Sequence, residues 1–413
     1  MHTMHSAAEA LLRRSRIRSA ALIAIVGLIV VGTACAMAML WPAPDELPRQ
    51  PAGAGATSTV VTARVTSATM GACGASPPSA EGDAAASDAA ASAGTDTCLR
   101  AYASLPIGQT VTFSLDPMAS QAQDIRVGDT VRLIASTGYG PDGGEPVYAF
   151  YDHPRGGKML AVAIGFALVV VAVGRVRGAL ALAGVGIAVA LLATFVLPAI
   201  LAGRPAIPVA IVGAVGIMTV VLYLAHGISH RTTAALFGSI FGILFTAVAG
   251  VAVTHWLRFS GIASTEEAGL LIAVPGLRMN DLLTATIVIA GLGVLNDITV
   301  AQASAVWEMR ALNPGLEKRR ISRAAMRIGR DHIASSIYTL VFAYTGAMLV
   351  VLLLVSTQPR DLVDLVTSEQ IAQEIIRTLI GAAGLVLSMP VTTACAVLFV
   401  PAHDTSGARL PGA

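Results

Sequence analysis

Long apolar runs separated by short polar breaks dominate this chain. The first run spans Ala20 to about Leu40 and ends on Trp41-Pro42, a pair suited to a bilayer interface. From Met159 onward the runs recur. They predict helices over roughly 158–174, 179–201, 206–226, 234–255, 281–306, 332–355 and 377–400. Each is close to the roughly 20 residues that cross a bilayer, and the first run makes an eighth. Between 43 and 157 the period changes. Pro42, Pro44 and Pro48 mark an extended linker. Alternation over Ser58–Val65, Gln109–Leu115, Thr130–Ala135 and Val147–Tyr151 predicts strands, with Gly128-Asp129 as a turn. Residues 74–97 form a low-complexity insert of Ala, Ser, Gly and Asp that cannot bury a core. The expected fold is an all-α polytopic membrane helix bundle of about eight transmembrane helices. A small β-rich extracytoplasmic domain, a barrel or sandwich over 43–157, separates helices 1 and 2.

Composition supports that class. Hydrophobic residues make up 55% of the 413 and charged residues 13%, with a mean hydropathy of +0.72. Soluble domains carry about 25% charged residues. The net charge of +2 offers no global field for nucleic acid. The positive charges are unevenly placed. Arg13, Arg14, Arg16 and Arg18 precede the first helix, and Arg310, Lys318, Arg319, Arg320, Arg323, Arg327 and Arg330 crowd the connector 307–331. Positive flanks stay inside. This predicts an uncleaved anchor over 20–42 and cytoplasmic segments at 1–19 and 401–413. It also places residues 43–157 outside the plasma membrane and a seven-helix membrane domain over 158–400. Cys35 and Cys395 fall in apolar runs and read as small packing residues. Cys73 and Cys98 fall in the exported segment, where an oxidising compartment permits a disulfide. No CxxC or HExxH spacing suggests a metal, and no cofactor is expected. Gly pairs such as Gly238 and Gly242, or Gly381 and Gly384, let helix backbones approach closely. Pro390 is expected to kink the last helix.

Candidate chemistry gathers between Gly291 and His332. Asp297 is a carboxylate well inside an apolar run, about 15 residues into its helix at about 1.5 Å rise per residue. An ionisable group at that depth is costly unless it meets a cavity or a partner. Ser304 shares its face and Gly293 leaves room beside it, while Asn296 points elsewhere and Thr299 lies close by. Arg330, Asp331 and His332 enter the next helix from the same side, so these groups are expected to come near Asp297. The simpler alternative is a structural carboxylate paired with Arg330. His226 sits at the cytoplasmic end of its helix. Residues 317–330 form a basic amphipathic segment suited to anionic lipid headgroups. No Ser-His or paired-carboxylate arrangement points to an enzyme.

These motifs resemble one family. Gly291 to Ser304, Ala305-Val306-Trp307-Glu308, the run Ile328-Gly329-Arg330-Asp331-His332-Ile333, and His226-Gly227 followed by Thr232 and Thr233 are similar to those of bacterial YibE/F-like membrane proteins, over about residues 57–400. The resemblance implies a multi-pass protein of the cytoplasmic membrane with no assigned activity. Tyr338 stands where it leads one to expect Asn. Two functions are consistent with the sequence. One is a transporter or permease of an unknown small solute or ion. The other is a non-transporting scaffold or sensor whose exported domain binds a ligand or protein.

Overall fold

The computed structural model describes residues 2–47, 58–72, 97–136, 146–359 and 361–400. Two compact units appear, Arg49–Val169 and the combination of Met1–Pro48 with Val170–Ala413.

The first unit holds a five-stranded antiparallel sheet, β1 (Ser58–Ala72), β2 (Thr97–Ser104), β3 (Thr110–Leu115), β4 (Thr130–Ser136) and β5 (Val147–Asp152), in the order β3-β2-β1-β4-β5. The long β1 serves both halves because a bulge between Val65 and Ser67 re-aims it. Phe113 of β3 stacks on Phe150 of β5 with ring centroids 6.2 Å apart, so the sheet curls until its edges meet. A short helix between β3 and β4, Pro117–Gln123, is capped by the Asp116 side chain. Alternation in β3 and β4 turns Val111, Phe113, Val131 and Leu133 inward. The expected turn is present. Gly128 has φ 97, and the Asp129 carboxylate accepts from the Arg126 amide. Sequence alternation missed β2, which follows the insert directly. The insert itself, with Cys73, lies outside the described residues. Cys98 is disulfide-bonded.

The second unit is helical. With Pro117–Gln123 of the first unit as α2, the other helices among the described residues are α1 (His2–Leu40), α3 (Gly156–Leu191, which begins in the first unit), α4 (Leu197–Leu201), α5 (Ala206–His226), α6 (His230–Trp256), α7 (Thr265–Ala273), α8 (Met279–Ala290), α9 (Leu292–Leu312), α10 (Lys318–Ala347), α11 (Leu349–Ser356), α12 (Leu362–Thr367) and α13 (Glu369–Phe399). Among the described residues six helical stretches are long and apolar enough to cross a bilayer. A seventh joins them if α10 and α11, which bend by 60° at Met348, form one span.

The boundaries differ from expectation for physical reasons. Helix α1 reaches back to His2 because Ala, Leu, Glu and Arg before Ala20 are good helix formers with no Gly or Pro among them. Residues 156–191 form one helical run broken at Arg175, where φ is 51. The chain folds back so tightly that a Cβ on Gly178 would collide with the Val170 carbonyl. A π turn over Leu192–Val196 precedes Pro198, which brings no N–H to the helix. Residues 317–330, expected as a separate surface segment, are instead the first half of α10. No breaker interrupts them, and their apolar stripe of Ile321, Ala325 and Gly329 is buried against the bundle. Pro390 sits inside α13 without ending it.

At the centre lies α6, packed against α5, α8, α9 and α13, while α10 covers α9 and α13. Glycines set the close crossings. Cβ atoms on Gly238, Gly242, Gly250 and Gly384 would strike Thr392, Leu295, Thr284 and Thr246 respectively.

Candidate functional site

Helix α9 presents two chemically different faces. Its inward face carries Leu295, Ile298, Thr299, Gln302 and Val306, all buried. The polar groups there have partners. The Thr299 hydroxyl meets that of Ser239 at 2.9 Å and donates to the Leu295 carbonyl at 2.8 Å. The Gln302 amide donates to the Thr393 hydroxyl at 2.7 Å, and Thr393 donates in turn to the Met389 carbonyl at 2.9 Å. Thr392 donates to Ser388, and Thr246 to Gly242. A hydroxyl bonded to its own helix costs little in an apolar setting, so this seam is polar in composition and yet closed. Gly329 of α10 completes it. A Cβ there would stand 2.6 Å from Gln302 Oε1.

The outward face runs through Gly293, Asp297, Ala301, Ser304 and Glu308, spaced by three or four residues. Gly293, Asp297 and Glu308 are exposed, and Ala301 and Ser304 are half-covered. The Ser304 hydroxyl donates to the Val300 carbonyl at 2.6 Å. Among the described residues Asp297 has no hydrogen bond and no ion pair. Arg330, Asp331 and His332 are also exposed. None of the three side chains is bonded to Asp297, and the His332 backbone carbonyl accepts from the Ser335 hydroxyl. They lie in mid-helix rather than at a helix entrance, because α10 begins at Lys318.

The residues singled out from the sequence therefore separate. Thr299 belongs to the inward seam. Asn296 is half-buried on the flank, and its Oδ1 is enclosed without a partner. Asp297 and Ser304 share the outward stripe. Arg330, Asp331 and His332 lie on the uncovered part of α10. His226 ends α5, exposed, beside Gly227 with φ 74. Near it the Tyr223 hydroxyl meets that of Thr233 at 3.1 Å.

Sequence reading missed the seam partners Ser239, Gln302, Thr392 and Thr393. The signal was present in the adjacent threonines of an apolar run and in a Gln five residues after Asp297. It also missed an ion pair between Arg377 and Glu374, both largely buried, with Arg377 held to Thr286 of α8 at 3.3 Å. Beside this pair α10, α11 and α13 enclose a groove of about 240 Å³ lined by Val341, Tyr344, Met348, Leu352, Ile371 and Glu374. A second groove of about 730 Å³ involves His153, Arg155, Lys158 and Phe166. Asp297 lines neither. Among the described residues no three His, Cys, Asp or Glu side chains come together as metal ligands.

The model of the YibE/F-like protein family matches residues 162–402, more than half of the chain, which belongs to that family. No curated protein and no solved structure matches it.

Proposed function

We propose that this YibE/F-like protein is a membrane permease for a small solute or ion, with Asp297 on its path. One observation carries the reading. Asp297 is exposed and unpaired within the apolar stretch Met279–Leu312. Intramembrane carboxylates mark ion and proton pathways because their cost must be met by a ligand, a partner or water. Ser304 continues the polar stripe toward the cytoplasm, Arg330, Asp331 and His332 of α10 lie at depths between Asp297 and Gln302 where they would guard the path, and His226 ends α5 in the same half of the membrane. The bend between α10 and α11 supports the reading by analogy, since broken helices are common in transporters.

Splitting Gly156–Leu201 at Arg175 and joining α10 to α11 turns the six long stretches into eight spans. An even number puts both termini on one side, and the positive flanks make that side the cytoplasm and leave residues 43–157 outside. The basic first turn of α10, Lys318, Arg319 and Arg320, then reaches the anionic inner leaflet. A second reading, a scaffold or sensor that moves nothing, is favoured by the closed packing of α6, α9 and α13.

Water access separates the two. Asp297→Cys in the full chain, with Cys35 and Cys395 replaced by Ala, is treated in membranes with a charged, water-soluble thiol reagent. The permease reading expects reaction, and it expects Asp297→Asn to abolish ion-driven signals from proteoliposomes tested with Na⁺, K⁺, Mg²⁺ and Mn²⁺. A cysteine at 297 that never reacts, or equal signals from both proteins, overturns it.

A further inference from the structure

We infer that the uncovered faces of α9 and α10 form an interface between two copies of this chain, in which Asp297 of one copy meets Arg330 of the other. The outward stripe of α9 is acidic, with Asp297 and Glu308 exposed. Along α10 the exposed residues Arg320, Arg323, Arg327 and Arg330 recur every three or four positions and so make a basic stripe. That stripe lies about 100–180° around the helix from Gly329, the residue α10 presses onto α9 and α13. Within one chain the two stripes therefore cannot face each other. None of these six side chains forms an ion pair among the described residues.

Depth supplies the second argument. The contact between Gln302 and Gly329 fixes the register of the two antiparallel helices. Six residues toward the α9 C-terminus from Gln302 is Glu308, and six residues toward the α10 N-terminus from Gly329 is Arg323. Both lie about 9 Å from the contact in the same direction, at about 1.5 Å per residue. Asp297 lies about 7.5 Å from it in the other direction, and Arg330 about 1.5 Å in that direction. The remaining 6 Å is within the length of an arginine side chain. Two copies related by an axis along the bilayer normal keep every residue at its own depth, so acid and base meet at two levels, Glu308 with Arg323 and Asp297 with Arg330. Such an interface is self-complementary, as a two-fold dimer requires. Gly293, Ala301 and Ser304 are small enough to let the second copy approach closely.

A second copy also answers why Asp297 has no partner in its own chain. Left toward lipid, the carboxylate is costly, and a basic residue from outside the chain removes that cost. For its purpose, though not for its existence, the interface rests on the permease reading. Arg330 of the second copy would occupy Asp297 when no cation does, and the path would run between the two copies.

The test uses two full-length chains with different tags, co-expressed, each with Cys35 and Cys395 replaced by Ala. One carries Glu308→Cys and the other Arg323→Cys, the pair that lies at one depth, so that a disulfide can span it. Mild oxidation in native membranes should give a cross-linked dimer bearing both tags, while Val248→Cys on an exposed position of α6 paired with Arg323→Cys should give at least tenfold less. Charge exchange guards against misfolding. Asp297→Arg alone should reduce co-purification of two tagged copies at least tenfold, and co-expression with Arg330→Asp should restore it. A mixed-tag cross-link no stronger than the Val248→Cys control, or no rescue by the exchanged charges, overturns the inference. The outcome is independent of transport. A cross-link without ion flux rejects only the permease, and Asp297-dependent flux without a cross-link rejects only the dimer.

Discussion

Both faces of α9 carry polar side chains, neutral ones inward and carboxylates outward, under opposite conditions. Inward, Thr299 and Gln302 are enclosed and hydrogen-bonded to neighbouring helices. Outward, Asp297 and Glu308 have no partner among the described residues. Along this inward seam the bundle follows the rule that buried polar groups are paired, whereas on the flank of the same helix Asn296 Oδ1 is enclosed without a partner. The outward face departs from the rule only if lipid is its surroundings. The contrast teaches that a single chain is an incomplete account of this helix.

Steric substitution breaks the contrast most strongly. Gly242→Val drives a side chain into Leu295 at the α6–α9 crossing, where overpacking costs about 1–3 kcal/mol. Gly293→Val on the opposite face of α9 meets nothing within 4 Å and should stay within about 0.5 kcal/mol of wild type. Melting of the monomeric fraction in detergent checks both. Equal losses there at the two positions would mean that the outward face is covered within a single chain.

Polar truncation gives a smaller separation. Gln302→Leu removes the bond to Thr393, whose hydroxyl keeps its bond to the Met389 carbonyl, so no hydroxyl is stranded. The expected loss is about 1 kcal/mol. Ser304→Ala removes only a bond within its own helix and should change the melting temperature by less than the error of the measurement. A larger loss from Ser304→Ala than from Gln302→Leu would reverse the assignment of inside and outside.

How much of this was legible follows from what each signal measures. Apolar runs report contact with lipid or core, and they located most of the long helices. They could not report that Arg175 turns the chain back or that α10 starts at Lys318. Those depend on a local backbone angle and on where Ile321 and Ala325 find neighbours. Alternation revealed β3, β4 and β5 because each turns one face to a core. It missed β2, which begins at the edge of a polar insert. Asp297 stood out because a carboxylate is conspicuous in an apolar run. Thr392 and Thr393 did not, because hydroxyls bonded to their own helix are common there. The sequence also could not reveal that Arg330 and Asp297 stay apart, since that depends on the rotation of α10 set by Gly329.

The smallest expected effect is the most informative. If Asp297 and Arg330 formed a buried pair within one chain, removing either partner would strand a charge and cost about 3–5 kcal/mol. The structure has no such pair, so Asp297→Asn and Arg330→Gln should each leave the melting temperature of the monomeric detergent fraction unchanged, within about 0.5 kcal/mol. The double variant should do the same, since residues with no contact are additive. In the dimeric fraction both single variants should melt earlier, because there each removes one half of an intermolecular pair. A loss in the monomer from either single variant that the double variant partly restores would show that the two side chains meet within one chain. The outward face of α9 would then be as self-contained as the inward one.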